Sequence, residues 1–282
     1  MDASWSRRRF LQAGAAVVTA GLSRPAWSIA SEVEDYGGFL MGLQTYTFRN
    51  FTVDQAFEIA KGLNVKTVEV FQAHFPNSST FAEITERRAK AKQNGLTILA
   101  HGVNPFTKDH AANLRWFEFA KKAGIRNLTA DPTEDSFDSL EKLVELFDIR
   151  IAIHNHGPGA RYDKVADVLN AVKGRHPNIG ACADLGHFIR SAEDPVRAIH
   201  LLKGRLFGVH LKDFADQKAE TKGVILGQGH LNVAGVFKAL REVDYPKDAC
   251  LALEYEEKPE NPLEDVKQCL AAAAEGAKKS LG

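Results

Sequence analysis

The segment IAIHNHGP, residues 151–158, brings a short apolar run up to two histidines and a Gly-Pro pair. A short run rich in β-branched residues is typical of a buried strand, and Gly157 and Pro158 are typical of the turn that ends one. Because strand side chains alternate between two faces, His154 and His156 are predicted to share a face. The segment therefore predicts a strand that delivers two imidazoles to one edge of a sheet.

Similar apolar runs recur along the chain and alternate with longer amphipathic segments. The eight runs cover residues 38–46, 67–71, 96–101, 125–130, 149–154, 179–184, 206–211 and 250–255. Apolar residues at helical spacing mark residues 52–63, 110–124, 165–175, 232–243 and 262–279. Eight strand–helix units in about 250 residues match a (β/α)8 barrel in number and size. We therefore predict an α/β fold with a single (β/α)8 TIM barrel over residues 31–282, and an open doubly wound sheet is the alternative.

The first thirty residues differ in composition from the rest of the chain. Three arginines, Arg7 to Arg9, precede an apolar stretch that ends near Leu22, and small residues follow. This order is typical of a signal peptide, and Ser-Arg-Arg-x-Phe-Leu resembles the twin-arginine signal. We expect residues 1–30 to be a twin-arginine signal peptide and the remaining protein to reside in the periplasm. A general secretory signal and a retained anchor are the alternatives.

The overall charge and the cysteines limit the possible partners. Lys and Arg together number 36, as do Asp and Glu, so the formal net charge is zero. No basic cluster lies outside the N-terminus, so a nucleic-acid partner is not expected, and neither is membrane attachment once the signal is removed. The cysteines, Cys182, Cys250 and Cys269, are odd in number and lack metal-binding spacing. They are predicted to be buried free thiols.

Ionisable residues concentrate where the predicted strands end. They are Glu69, His101, Asp131, His154, His156, Asp184, His187, His210, Lys212, Asp213, Glu254 and Glu256. In a TIM barrel this edge holds the active site. Ionisable side chains that converge in a barrel mouth are costly unless they are paired or bind a cation, so a divalent metal is predicted. Glu69 alone fits a substrate contact and a structural salt bridge equally well, and His230 lies in a loop that could reach the site.

Three motifs together resemble the xylose isomerase-like TIM barrels, a family often described as sugar phosphate isomerases or epimerases. They are DLGH (184–187), VHLKD (209–213) and LEYE (253–256), and the resemblance covers roughly residues 38–280. It implies one divalent metal ion held by His154, Asp184, His210 and Glu254, one residue from each of strands five to eight. It also implies that His187 and His156 face the substrate. A mixed nitrogen and oxygen ligand set suits Mn²⁺, Co²⁺, Fe²⁺ or Zn²⁺ better than Ca²⁺.

The sequence departs from the family pattern at two positions. The strand-five ligand is commonly Glu, and here it is His154. Epimerases of the family often use a second carboxylate about six residues later, where this chain has Ala160. Two-base epimerisation is therefore in doubt, although Glu69, His101, Lys212 or Glu256 could substitute.

The resemblance and the residues together predict a metal-dependent sugar isomerase or epimerase, or a keto-sugar lyase. Its substrate is predicted to be an unphosphorylated sugar or keto-sugar. A base is predicted to remove the proton on the carbon next to a metal-chelated carbonyl. The predicted catalytic residues are Glu254, Lys212, Glu69 and His101. The predicted substrate-binding residues are His156, His187, Glu256 and His230. The alternatives are a non-catalytic periplasmic sugar-binding barrel and, from another reaction class, a phosphodiesterase similar to AP endonucleases.

Overall fold

Eight parallel strands, each paired with its neighbours in the sequence, form a closed barrel in the computed structural model, which describes residues 35–282. The strands are β1 (Met41–Gln44), β2 (Thr67–Val70), β3 (Thr97–Phe106), β4 (Asn127–Pro132), β5 (Arg150–His154), β6 (Ile179–Asp184), β7 (Leu206–Leu211) and β8 (Cys250–Leu253). The barrel closes because β8 pairs with β1 in parallel. The predicted single (β/α)8 barrel is thereby confirmed, whereas the predicted signal peptide lies outside the described residues.

Helices cover the outside of the barrel and connect successive strands. They are α1 (Val53–Gly62), α2 (Phe81–Gln93), α3 (His110–Ala123), α4 (Phe137–Phe147), α5 (Val165–Val172), α6 (Leu185–Arg190), α7 (Pro195–Leu201), α8 (Val233–Glu242) and α9 (Leu263–Lys279). The sequence did not predict α2, α4, α6 or α7. Helix α2 buries only Ile84 and Ala91, so its apolar periodicity is weak. Helices α6 and α7 are shorter than two turns, and a helical period cannot be recognised over that length.

Local sequence explains where several of these helices begin and end. Thr52 and Gln55 form a reciprocal capping box at the start of α1, which satisfies two backbone N–H groups there. Gly124 ends α3 in the left-handed conformation at φ 69°, which costs glycine no steric energy. These caps set the lengths of the connections and therefore the positions at which the next strands begin.

Strand lengths differ from the apolar runs in ways that affect the site. After β1 the chain forms a 3₁₀ turn over Thr45–Phe48, and β8 ends at Leu253, one residue before Glu254. Strand β3 instead continues to Phe106, five residues beyond the predicted run. A strand-end residue in the sequence is therefore not always a strand-end residue in the barrel.

The cysteines lie in the interior, as predicted. Cys182, Cys250 and Cys269 are all buried and free. Burial raises the pKa of Cys182 to about 11 and that of Cys269 to about 12, so both thiols are protonated at neutral pH. Within residues 35–282, no helix combines the length and the apolar character needed to cross a bilayer.

Candidate metal centre and active site

Four side chains from strands β5 to β8 converge at the carboxyl end of the barrel. His154 and Asp184 are the last residues of β5 and β6, His210 lies in β7, and Glu254 directly follows β8. The parallel register aligns Asp184 with His210, and the Glu254 N–H donates to Leu211, which extends the β7–β8 pairing by one residue. One donor atom from each of the four buried residues lies within 4.8 Å of the other three. The barrel geometry therefore brings the predicted ligand set together.

The donor atoms of this cluster face a common point. His154 Nε2 lies 3.1 Å from His210 Nδ1 and 3.5 Å from Asp184 Oδ2. His210 Nδ1 lies 3.3 Å from Glu254 Oε2. Two imidazole nitrogens and two carboxylate oxygens are ligands that Zn²⁺, Fe²⁺, Co²⁺ and Mn²⁺ accept. The residues therefore fit a divalent transition metal.

Glu69 lies behind this cluster rather than in the open site. His210 Nε2 contacts Glu69 Oε2 at 2.9 Å, and both side chains are fully buried. A carboxylate that accepts the proton of one imidazole nitrogen leaves the lone pair of the other nitrogen for a metal. This contact indicates that Glu69 orients the His210 ring so that its Nδ1 faces the cluster. It does not support the predicted catalytic role, because Glu69 does not contact the pocket.

Asn155 holds the backbone that carries Asp184. Its side-chain amide donates to the Asp184 carbonyl at 2.9 Å and accepts from the Asp184 N–H at 2.8 Å. Asp184 Oδ1 in turn caps helix α6 by accepting from the His187 N–H at 2.8 Å. These bonds leave Oδ2 directed at the cluster. The sequence analysis did not single out Asn155. The signal available for it was an amide side chain between two histidines at the end of an apolar run.

Lys212 provides the positive charge of the site. Its Nζ lies 2.9 Å from Asp184 Oδ2, 2.6 Å from Glu254 Oε2 and 2.8 Å from Glu256 Oε1. Burial alone would lower the pKa of Lys212, but Asp184 and Glu254 outweigh it and raise the pKa well above its usual value. For Glu254 burial acts in the opposite direction and would raise the pKa, but the Lys212 ammonium holds this pKa well below its usual value. Lysine and carboxylate are therefore both charged at neutral pH.

A cavity of about 230 Å³ opens above the cluster. Its lining residues are Gln44, Tyr46, Phe71, Gln72, Gly102, Val103, His154, His156, His187, Glu254 and Glu256. Three of the predicted substrate-binding residues, His156, His187 and Glu256, are among them. The ionisable groups come from the β5–β8 side of the barrel, and apart from the Tyr46 phenol the β1–β3 side contributes neutral groups. The pocket thus has one reactive side and one neutral side.

The two histidines that are not in the ligand set are uncharged at neutral pH. Burial lowers the pKa of His156 to about 4 and that of His187 to about 3. The His156 ring lies 4.6 Å from that of His154 and 5.7 Å from that of His187 between centroids. Neutral imidazoles in this position can donate and accept hydrogen bonds with sugar hydroxyls.

His101 and His230 do not reach the pocket, contrary to their predicted roles. His101 is fully buried outside the barrel, where its ring packs against Trp116 and Phe119 of α3 and its Nε2 contacts the Phe75 carbonyl at 2.8 Å. Burial lowers its pKa to about 4. His230 is exposed, and its backbone N–H donates to the Phe214 carbonyl at 3.1 Å. Neither position suits a group that must contact a substrate in this cavity.

Sequence reasoning also missed an aromatic wall on the neutral side of the pocket. Tyr46 and Phe71 make an edge-to-face contact with ring centroids 4.9 Å apart, and both line the cavity. Gln44 and Gln72 lie beside them. The available signal was an aromatic residue at the end of each of the first two apolar runs.

The profile of the xylose isomerase-like TIM barrel matches residues 57–274. The chain belongs to this family. The motifs DLGH, VHLKD and LEYE suggested membership of this family, and the match to its profile confirms it.

Several members and structural neighbours of this xylose isomerase-like barrel have been described. The 3-oxo-isoapionate decarboxylase of Pectobacterium atrosepticum is 26% identical over 177 residues, which are 57% of this chain and 62% of the decarboxylase. The match thus spans less than two thirds of that relative. A crystal structure of an uncharacterised Parabacteroides distasonis protein is 28% identical, with a TM-score of 0.64 and coverage of 83% of this chain and 97% of that one. D-Psicose 3-epimerase from Clostridium cellulolyticum, solved with D-tagatose, shares the fold at 13% identity, a TM-score of 0.67 and coverage of 86% and 98%.

Proposed function

We propose that this barrel is a divalent-metal-dependent enzyme that modifies an unphosphorylated sugar bearing a carbonyl group. The observation that carries the proposal is the ligand cluster of His154, Asp184, His210 and Glu254 at the base of a cavity of about 230 Å³. Relatives named as a 3-oxo-isoapionate decarboxylase and a D-psicose 3-epimerase support a sugar-derived substrate. The metal ion is Mn²⁺, Co²⁺, Fe²⁺ or Zn²⁺, because both nitrogen and oxygen donors are present.

The residues of the pocket divide the work of such a reaction. A bound divalent ion would polarise the substrate carbonyl and acidify the neighbouring C–H bond. Glu254 lines the pocket and is the carboxylate positioned to accept that proton. Lys212 does not line the cavity; it lies between Glu254 and Glu256, and its positive charge keeps Glu254 ionised. His156 and His187 orient the hydroxyl groups of the sugar.

The residue at the position of the family's second carboxylate favours some outcomes over others. Inversion at a carbon requires a proton to leave one face and return to the other, and so needs a proton-transferring group on each side. In the pattern that the family resemblance implies, the second carboxylate comes from about six residues after the strand-five ligand, and here that residue is Ala160, which does not line the pocket. We therefore favour reactions that transfer protons on one side, namely isomerisation, or a lyase reaction on a keto-sugar, over two-base epimerisation.

The proposed function is tested by NMR in D₂O with a panel of free ketoses and 3-keto-glycosides. Protein loaded with Mn²⁺ for turnover, or with diamagnetic Zn²⁺ for direct spectra, is expected to exchange the α-proton of at least one substrate and to convert it. Chelator-treated protein is expected to be inactive. Exchange that persists without metal would contradict the metal-dependent mechanism. Saturable sugar binding with no exchange across the panel would instead favour the non-catalytic sugar-binding barrel.

We further propose that the protein is exported by the twin-arginine pathway and acts in the periplasm. The support is the sequence Ser6-Arg7-Arg8-x-Phe10-Leu11 before an apolar stretch. An exported enzyme would meet unphosphorylated sugars, because sugar phosphates are mostly cytoplasmic. Replacing Arg7 and Arg8 together by lysine is expected to leave the precursor in the cytoplasm, as measured by cell fractionation. Unimpaired export of this variant would argue for a general secretory signal.

A further inference from the structure

The ammonium of Lys212 binds the same carboxylate oxygens that the metal cluster would offer to a cation. Nζ contacts Asp184 Oδ2 at 2.9 Å and Glu254 Oε2 at 2.6 Å, and the side chain is 4% exposed. Both oxygens belong to the four-residue ligand set. Besides this ammonium, the His154 and His210 imidazoles face the same two carboxylates.

The stem of Lys212 is fixed, whereas its head has a second acceptor. A Cβ atom placed on Gly186 would lie 2.6 Å from Lys212 Cγ and 2.8 Å from its Cβ, so the stem packs directly against the glycine of the DLGH motif. The head also contacts Glu256 Oε1 at 2.8 Å. Glu256 is not in the ligand set, and its side chain is 34% exposed. Glu256 therefore offers the ammonium an acceptor outside the ligand set.

We propose that Lys212 is the internal counter-ion of the metal centre, and that it competes with the divalent ion for Asp184 and Glu254. In the metal-free protein the ammonium holds the two carboxylates together. When the ion binds, like charges repel strongly in a site shielded from water, and the ammonium shifts to Glu256. Lys212 and Glu256 thereby set the metal affinity without being ligands. The proposal rests on the metal centre of the proposed function but not on its substrate or reaction.

The test is a double-mutant cycle in which metal affinity and thermal stability are measured, and no turnover assay is needed. Titration calorimetry with Mn²⁺ and Co²⁺ is applied to wild type, Lys212→Met, Glu256→Gln and the double variant, and thermal unfolding is followed with and without metal. Lys212→Met is expected to bind either ion with a Kd at least about tenfold lower than that of wild type. Its metal-free form is expected to melt at a lower temperature, because two buried carboxylates lose their cation. Glu256→Gln is expected to bind about tenfold more weakly, with little change in metal-free melting.

The double variant separates competition from a simple change in charge. If Glu256 acts only by receiving the displaced ammonium, Glu256→Gln has no effect on affinity once Lys212 is methionine. Additive effects of the two substitutions would overturn the proposal, and so would unchanged or weaker binding in Lys212→Met. Should Lys212→Met fail to fold, Lys212→Gln replaces it in the same cycle, and wild-type affinity in Glu256→Gln would by itself refute the proposal. Wild-type protein that binds neither ion, and that also fails to bind Zn²⁺ and Fe²⁺ in the same titration, would overturn the metal centre and this inference with it.

Discussion

Replacement of Asp184 by asparagine is expected to lower divalent-metal affinity by at least about a hundredfold, because loss of a mere supporting contact already costs 10- to 100-fold. Asp184 Oδ2 faces the imidazoles of His154 and His210, and the substitution removes its negative charge. An asparagine side chain still accepts the His187 N–H that begins helix α6, so the local fold is preserved. Metal content by mass spectrometry and turnover are expected to fall together.

Two comparisons make the Asp184 experiment decisive. Asp184→Ala removes the ligand and the helix cap together, so it is expected to lose about 1 kcal/mol of stability in addition to the metal. Metal is expected to raise the melting temperature of wild type but of neither variant, since only a ligand that binds the native state stabilises it. Stoichiometric metal in Asp184→Asn would contradict the assignment of the centre.

Substitutions at His154 and His156 are expected to separate metal binding from turnover. His154→Ala should lose metal and activity together, because its Nε2 is one of the converging donor atoms. His156→Ala should keep the metal and lose turnover by about 10²-fold or more, the usual scale for a positioned polar group in a transition state. The His156 ring lines the pocket, but it lies outside the ligand set. Metal content and turnover measured on the same samples check both expectations.

His154→Glu introduces the residue that the family resemblance leads us to expect at this position. His154→Glu is expected to retain the metal, but the added negative charge makes a bound ion a weaker Lewis acid and slows turnover. Loss of metal from His156→Ala with retention in His154→Ala would move the ligand on β5 by two residues. The alternative of two solvated strand-end histidines predicts stability changes within about 0.5 kcal/mol in each variant, and the 2% exposure of His154 already argues against it.

Sequence periodicity was sufficient to predict the barrel, whereas the four-residue ligand set was implied by the resemblance to the family. Alternating apolar runs and amphipathic segments specify parallel strands with crossover helices, and eight such units close into a barrel. His154 and Asp184 end runs that are also strand ends in the structure. For such residues the alternation of side chains along a strand fixes the face on which the side chain lies, and the end of the strand fixes its position along the barrel axis. Neither depends on contacts with distant parts of the chain.

Tertiary structure alone decided the roles of residues whose strands do not end where the apolar run ends. His101 closes an apolar run, but β3 continues to Phe106, so His101 lies mid-strand and turns outward to helix α3. Glu69 meets His210 only because the barrel closes and brings together residues 141 positions apart in the chain. The three-way ion pair of Lys212 likewise depends on how far its side chain reaches toward the ends of the two neighbouring strands, β6 and β8. The sequence by itself determined the order of strands and helices around the barrel, because that order follows from local periodicity. The fold decided which of them meet, because strand length, closure and side-chain direction are set by packing against distant elements.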